Sequence, residues 1–181
     1  MESLKGRLLV ASPSLFDPNF RRTVVLVTEH TEDGAAGLVL NRLSETAVVD
    51  AVPDLAPLVD DDERVYVGGP VQQSAVLVLA EFEDPAEAAT LVVDRVGFVP
   101  GDGDFALLAV ATRRARVFAG YAGWGADQLE AELEEASWIV EDAEGLDLFP
   151  EPEVDLWSTV LRRKGGVYRV VASMPEDPSL N

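Results

Sequence analysis

The chain contains no cysteine and one histidine, His30, among its 181 residues. The lack of cysteine excludes disulfides, thiolate metal sites and a cysteine nucleophile. With one imidazole, multi-histidine and mixed Cys/His metal centres are excluded too. A carboxylate site for Mg²⁺ or Ca²⁺ suits the composition, yet no EF-hand loop or comparable spacing occurs. No metal and no cofactor is therefore expected. No run approaches the ~18 apolar residues of a membrane span, and the first seven residues lack the apolar core and cleavage site of a secretory signal. A cytoplasmic protein without membrane contact is expected.

Basic residues are equally scarce. Fourteen Lys and Arg stand against 33 Asp and Glu, a net charge of −19. From Val117 to Leu161 there are twelve acidic residues and no Lys or Arg. Affinity for duplex DNA comes largely from basic side chains that displace counterions. Such a chain is repelled from nucleic acid at long range, so no direct DNA binding is expected.

What is present is a folded-protein composition: 48% hydrophobic residues, punctuated by 14 Gly and 11 Pro. One domain over residues 1–173 with a frayed tail over 174–181 is expected. Leu8–Ala11 reads as a strand. Thr23–Thr28 is an unbroken β-branched and Leu run, the pattern of a strand buried on both faces. Turn residues 31–34 and a strand over Gly37–Leu40 predict an antiparallel hairpin. Ser44 or Thr46 is a candidate cap for a short helix over Ala47–Val52, followed by a second helical piece over Leu55–Val59. Arg64–Val67, Ala75–Phe82 and Leu91–Val93 are strand candidates, and Asp104 is placed to cap a helix over Phe105–Ala111. Arg114–Ala119 predicts a strand, Gln128–Ala136 an acidic helix and Trp138–Val140 a strand. Val154–Arg163 predicts a helix stopped by Gly165-Gly166, and Val167–Ala172 a last strand. Hairpins and helix-separated strands together imply a mixed sheet.

Residues 120–130 combine three glycines with Tyr121 and Trp124. The sequence predicts a sharp strand-to-helix turn, with φ > 0 allowed at Gly120, Gly123 and Gly125. Asp127 is placed to cap the helix that follows. The two aromatics suit a stacking platform for a ligand, or core filling. Gly68-Gly69-Pro70-Val71 follows a strand but lacks phosphate-loop spacing, so a tight reversal is the better reading. His30 with Glu29 could form an acid–base pair, or close a hairpin by bonding backbone. Arg42 suits a carboxylate or phosphate ligand and equally an internal ion pair, while Asn41 suits a backbone-bonding turn. Ser12, Ser44 and Ser74 lack a nucleophile elbow, so no catalytic residue is singled out.

Four segments in order carry a resemblance: Gly6-Arg7-Leu8-Leu9-Val10-Ala11-Ser12-Pro13 with Asp17 and Phe20; Glu29-His30 leading into Gly34–Arg42; Gly68-Gly69-Pro70-Val71; and Gly120–Trp124 with Gln128-Leu129-Glu130 and Glu132-Leu133. In order and spacing they resemble the YqgE/AlgH family of small bacterial proteins of undefined activity. The resemblance implies an α+β fold whose mixed, bent and bifurcated sheet closes into a pseudo-barrel flanked by helices. It also implies a cleft lined by Ser12, Pro13, Asp17, Phe20, Glu29, His30, Asn41, Arg42, Gly68, Gly69, Pro70, Gly120, Tyr121, Gly123 and Trp124. A transcriptional role is attached to the family name. The expected function is a non-enzymatic cytoplasmic binding or regulatory protein that takes a small molecule or partner segment, with any transcriptional effect indirect. The alternative is a hydrolase- or transferase-like enzyme using Glu29 and His30 as acid and base.

Overall fold

A computed structural model describes residues 1–176. The chain opens with a meander of β1 (Arg7–Ala11), β2 (Val24–Thr31) and β3 (Gly34–Val39), paired antiparallel with Leu8 opposite Leu26 and Val25 opposite Val39. Every residue from Leu8 to Ala11 and from Val24 to Val27 is fully buried. Period-two alternation divides them between two cores. Leu8, Val10, Val24 and Leu26 join Leu38, Phe118 and Trp157, while Leu9, Ala11, Val25 and Val27 join Trp124, Leu129 and Trp138. The unbroken apolar run thus marks strands covered on both faces.

Next come β4 (Leu43–Ala47), α1 (Val48–Ala51), a 3-10 turn over Pro53–Leu58, β5 (Arg64–Val67) and the long β6 (Val71–Phe82). β7 (Thr90–Val93) and β8 (Val96–Phe98) form a small hairpin on β6. α2 (Phe105–Ala111) begins where expected, with the Asp104 carboxylate accepting from the amides of Ala106 and Leu107. The residue at the N-terminus of α1 is Ala47, with no side-chain cap, because Ser44 and Thr46 belong to β4.

The organising element is β9, Thr112–Gly125. Its first half pairs antiparallel with β6, Val78 opposite Val117, and parallel with β5, Tyr66 opposite Phe118. Its second half pairs antiparallel with β3, Ala35 opposite Trp124. The sheet is therefore mixed, and it branches along this one strand. The two ends of the strand order, β10 (Trp138–Asp142, on β1) and β7, share no ladder, so the sheet is not closed by hydrogen bonds. Its two arms do approach: a Cβ on Gly6, just before β1, would lie 3.1 Å from the Val92 carbonyl of β7.

Two expectations about elements are corrected. The glycine-rich segment is no turn, because the strand beginning at Thr112 runs on to Gly125. Val167–Ala172 is a helix, α6, folded back on α5 (Leu156–Lys164) after Gly165 and Gly166, both at positive φ. Tyr168, Val171 and Ala172 turn inward at helical spacing, and Ser158 Oγ donates to the Ala172 carbonyl, so packing overrides the β-branched content. α3 (Gln128–Glu134) and α4 (Gly145–Leu148) complete the helices. Of the expected tail, Met174–Glu176 lie against Arg21 and Arg22, and residues 177–181 lie outside the described residues.

Candidate functional site

The expected cleft residues do not form one cleft. They fall into separate places, and each has a local cause.

Ser12, Pro13, Asn41 and Arg42 come together with Phe16 and with two residues outside the expected cleft, Arg21 and Arg22. Two adjoining grooves, about 490 and 220 Å³, run between the loop after β1, the end of β3 and the C-terminal segment. Asn41 is structural in the expected way. Its Oδ1 accepts from the amide of Val24 and its Nδ2 donates to the Arg22 carbonyl. Arg42 donates to the carbonyls of Pro18 (3.0 Å) and Arg21 (2.8 Å), holding the loop. The expected internal ion pair is not formed among the described residues; the side chain bonds backbone while lining the groove. Arg22 sits at φ 55, lies 4.3 Å above the Trp157 ring and donates to the Met174 carbonyl. Arg21 lies over the exposed Phe16 ring and makes no side-chain hydrogen bond among the described residues. The adjacent Arg21-Arg22 pair, in a chain so poor in bases, was the signal that could have found this groove.

Asp17 lies on the exposed turn beside it, where its carboxylate accepts from the Asn19 amide. Phe20 points the other way, into the core, 6.2 Å from Trp124 and 5.7 Å edge-on to Trp138.

Glu29 and His30 do not pair. A register shift after Val27 leaves Glu29 exposed and His30 buried. The imidazole Nδ1 accepts from the Leu4 amide at 3.0 Å, so the proton belongs to Nε2, which donates to Glu130 at 2.6 Å. The Glu130 carboxyl is held below the ordinary range, first by its own backbone amide and then by His30. Both ring nitrogens of His30 are engaged, so the imidazole itself is not free to act as a general base.

The glycines do meet something close, but it is the chain itself. A Cβ on Gly68 would lie 2.3 Å from the Gly120 carbonyl, and one on Gly69 would lie 2.2 Å from the Tyr121 carbonyl carbon. Gly120, at φ 74, would place a Cβ 2.5 Å from the Gly69 carbonyl. Two backbones cross there with no room for side chains. Gly123 is exposed and has only ordinary neighbours, and the positive φ that glycine allows is not used there. Pro70 is exposed at the same crossing.

Tyr121 and Trp124 pack into different cores, which removes the stacking platform. Trp124 is 6% exposed, and its indole N–H donates to Glu132. None of the main cavities among the described residues is lined by residues 120–124. Asp127 is at φ 62 and makes no side-chain cap; Gln128 Oε1 instead accepts from the Gly125 amide. Among the described residues, no group of three or more His, Asp or Glu side chains is arranged to hold a metal. No helix there is long and apolar enough to cross a membrane.

This branched sheet, with β9 shared between its arms, is a known architecture. The AlgH-like family model matches residues 8–169. A UPF0301 protein of Streptomyces coelicolor is 45% identical, over 100% of this chain and 97% of its own. One from Mycolicibacterium vanbaalenii is 42% identical, over 97% and 90%. The crystal structure of protein DIP2367 from Corynebacterium diphtheriae superimposes with a TM-score of 0.89 at 30% identity, covering 96% of this chain and 93% of that one. The solution structure of AlgH from Pseudomonas aeruginosa gives 0.73 at 30% identity, covering 97% and 98%. The chain belongs to the AlgH-like family.

Proposed function

We propose that this protein is a non-enzymatic binding protein of the bacterial cytoplasm, and that its arginine groove takes an anionic small molecule or an acidic segment of a partner. The observation that carries the reading is the convergence of Arg21, Arg22 and Arg42 on one groove in a chain of net charge −19. Planar guanidinium groups suit carboxylate and phosphate oxygens. Arg42 and Arg22 are positioned by backbone carbonyls, which leaves Arg21 as the adaptable donor. Asp155 and Glu176, the latter in the chain's own C-terminal segment, line the same groove beside the three arginines. Three arginines are far fewer than the phosphate contacts of a duplex-binding surface, so any transcriptional effect runs through the partner.

Native mass spectrometry of protein purified from cells tests this, with titrations of inorganic phosphate, citrate and a Glu-rich hexapeptide. Binding that is lost in Arg21→Ala at unchanged melting temperature supports the reading. No bound species and no response to the three probes defeats it.

A further inference from the structure

The largest cavity among the main ones, about 640 Å³, is lined by residues 113–116 at the start of β9, short of the glycine crossing, and shares no residue with the arginine groove. At its base stands Arg116, only 7% exposed. Its guanidinium lies 4.8 Å above the Tyr66 ring and is bonded through Nη1 to the Pro150 carbonyl. Nε is buried with no partner, and Nη2 makes no hydrogen bond among the described residues. A buried cation with an unused edge is costly unless an acceptor meets it. That edge is the fork that pairs side-on with a carboxylate.

The other charges at this cavity sort into spent and unspent. Arg113 and Arg114 are paired with Glu81 and Glu83, and Asp147 is paired with Arg163. Asp60, Glu63 and Glu151 have no ion-pair partner within bonding distance among the described residues, and they share the cavity wall with Arg116. Burial pushes the Glu63 carboxyl up, while the charge of Arg116 pulls it down. The rim is apolar, with Leu146 and Val154 exposed. A simple carboxylate would satisfy Arg116 but face three acids. A simple amine would suit the acids and leave Arg116 unmet.

We propose that this cavity binds a zwitterion of the amino-acid or short-peptide class, its carboxylate on Arg116, its ammonium toward Glu63 and Glu151, and its apolar body under Leu146 and Val154. Because the acids outnumber the guanidinium, a basic side chain is favoured over an apolar one.

Four probes of similar length separate the possibilities: L-lysine, L-leucine, n-pentylamine and n-pentanoate. Each is titrated into the whole chain and followed by backbone amide NMR shifts and by calorimetry. The expected order is lysine, then leucine, then the two single-charge probes, with shifts centred on residues 58–66, 113–116 and 146–152. Losing a charged hydrogen-bonding partner implies roughly 10–100-fold weaker binding in Arg116→Met. Glu63→Gln, at a half-buried position that does not anchor the fold, weakens lysine more than pentanoate. Equal binding of pentanoate and leucine overturns the proposal, as does no shift in this region with any probe. If Arg116→Met fails to fold, the Glu63→Gln comparison and the shift map still decide. Arg21→Ala leaves all of these titrations unchanged, so the two sites are judged separately.

Discussion

Trp124 and Trp138 donate their indole N–H groups to the same atom, Oε2 of Glu132, at 2.8 and 2.9 Å. The rings meet edge to face at 6.1 Å, and Gln128 Nε2 donates to the other carboxylate oxygen at 3.1 Å. One side chain of α3 thus joins β9 to β10. Glu132→Ala leaves two buried indole donors without an acceptor, at a cost of roughly 2–4 kcal/mol. Glu132→Gln retains one acceptor oxygen and costs less. Trp124→Ala opens a core cavity and costs roughly 3–5 kcal/mol. Urea unfolding followed by tryptophan fluorescence measures the Glu132 variants, and circular dichroism measures Trp124→Ala. A Trp124→Ala protein of wild-type stability would show that the indole is not core.

The glycines of the backbone crossing and Gly123 separate cleanly. Gly69→Ala and Gly120→Ala each force a Cβ against a peptide group at a positive φ, and each costs about 3 kcal/mol or more. Gly123→Val places its Cβ in ordinary contact with Val71 (3.6 Å) and Tyr121 (3.8 Å) on an exposed stretch of strand, and stays within about 0.5 kcal/mol of wild type, as surface changes do. Equal losses at all three positions would contradict the crossing as the reason for the glycines.

His30 acts as a clasp for the N-terminal segment. His30→Ala frees the Leu4 amide and removes the Glu130 partner, costing about 1–3 kcal/mol. Hydrogen exchange reads this directly: protection at Leu4 falls, while the response of the arginine groove to phosphate is unaltered. Loss of phosphate binding in this variant would make His30 part of the site.

Acid stability follows from three carboxyls. Hydrogen bonds from Arg114, then Arg113, hold Glu81 below the ordinary range against the opposing effect of burial, and Glu130 is held below it as described. For groups lowered on folding, the unfolded chain binds protons more readily. Their stabilisation is complete above roughly pH 4.3, the ordinary glutamate value, and is lost as pH falls through the folded-state values. Glu63 has the opposite sign: raised on folding, it costs stability above its folded value and the cost is relieved on acidification. Glu81→Gln therefore flattens the fall of the urea midpoint between pH 5 and 3, whereas Glu63→Gln raises the midpoint at pH 7. An unchanged midpoint at pH 7 in Glu63→Gln would count against the burial cost.

With its scarcity of basic residues, the isolated chain is expected not to bind duplex DNA at physiological salt. Fluorescence anisotropy with a labelled duplex checks this, and sub-micromolar, salt-sensitive binding would refute it.

Much of the fold was legible. Arg64–Val67 and Phe105–Ala111 fall where read, because short apolar runs with a capping Asp104 carry local information. The glycine segment was misread for a physical reason. Glycine serves both turns and close approach, and the partner that decides between them, Gly68-Gly69, is distant in sequence. The same holds for the site. Ser12, Pro13, Asn41 and Arg42 reach the groove, while Arg21 and Arg22 were hidden in a turn without a motif. Arg116 was equally hidden: a base inside an apolar strand looks like an interruption until the Pro150 loop closes over it.

The shared strand also bears on how the chain is made. β3, at residues 34–39, and β5, at 64–67, both await a partner that begins only at residue 112. During synthesis their edges stand open while the intervening chain emerges, with backbone donors and acceptors bare for other chains to pair with. Pairings across so wide a sequence separation are slow to form. The half-made protein is thus at its stickiest just before β9 arrives, and a chaperone's protection would matter most in that interval.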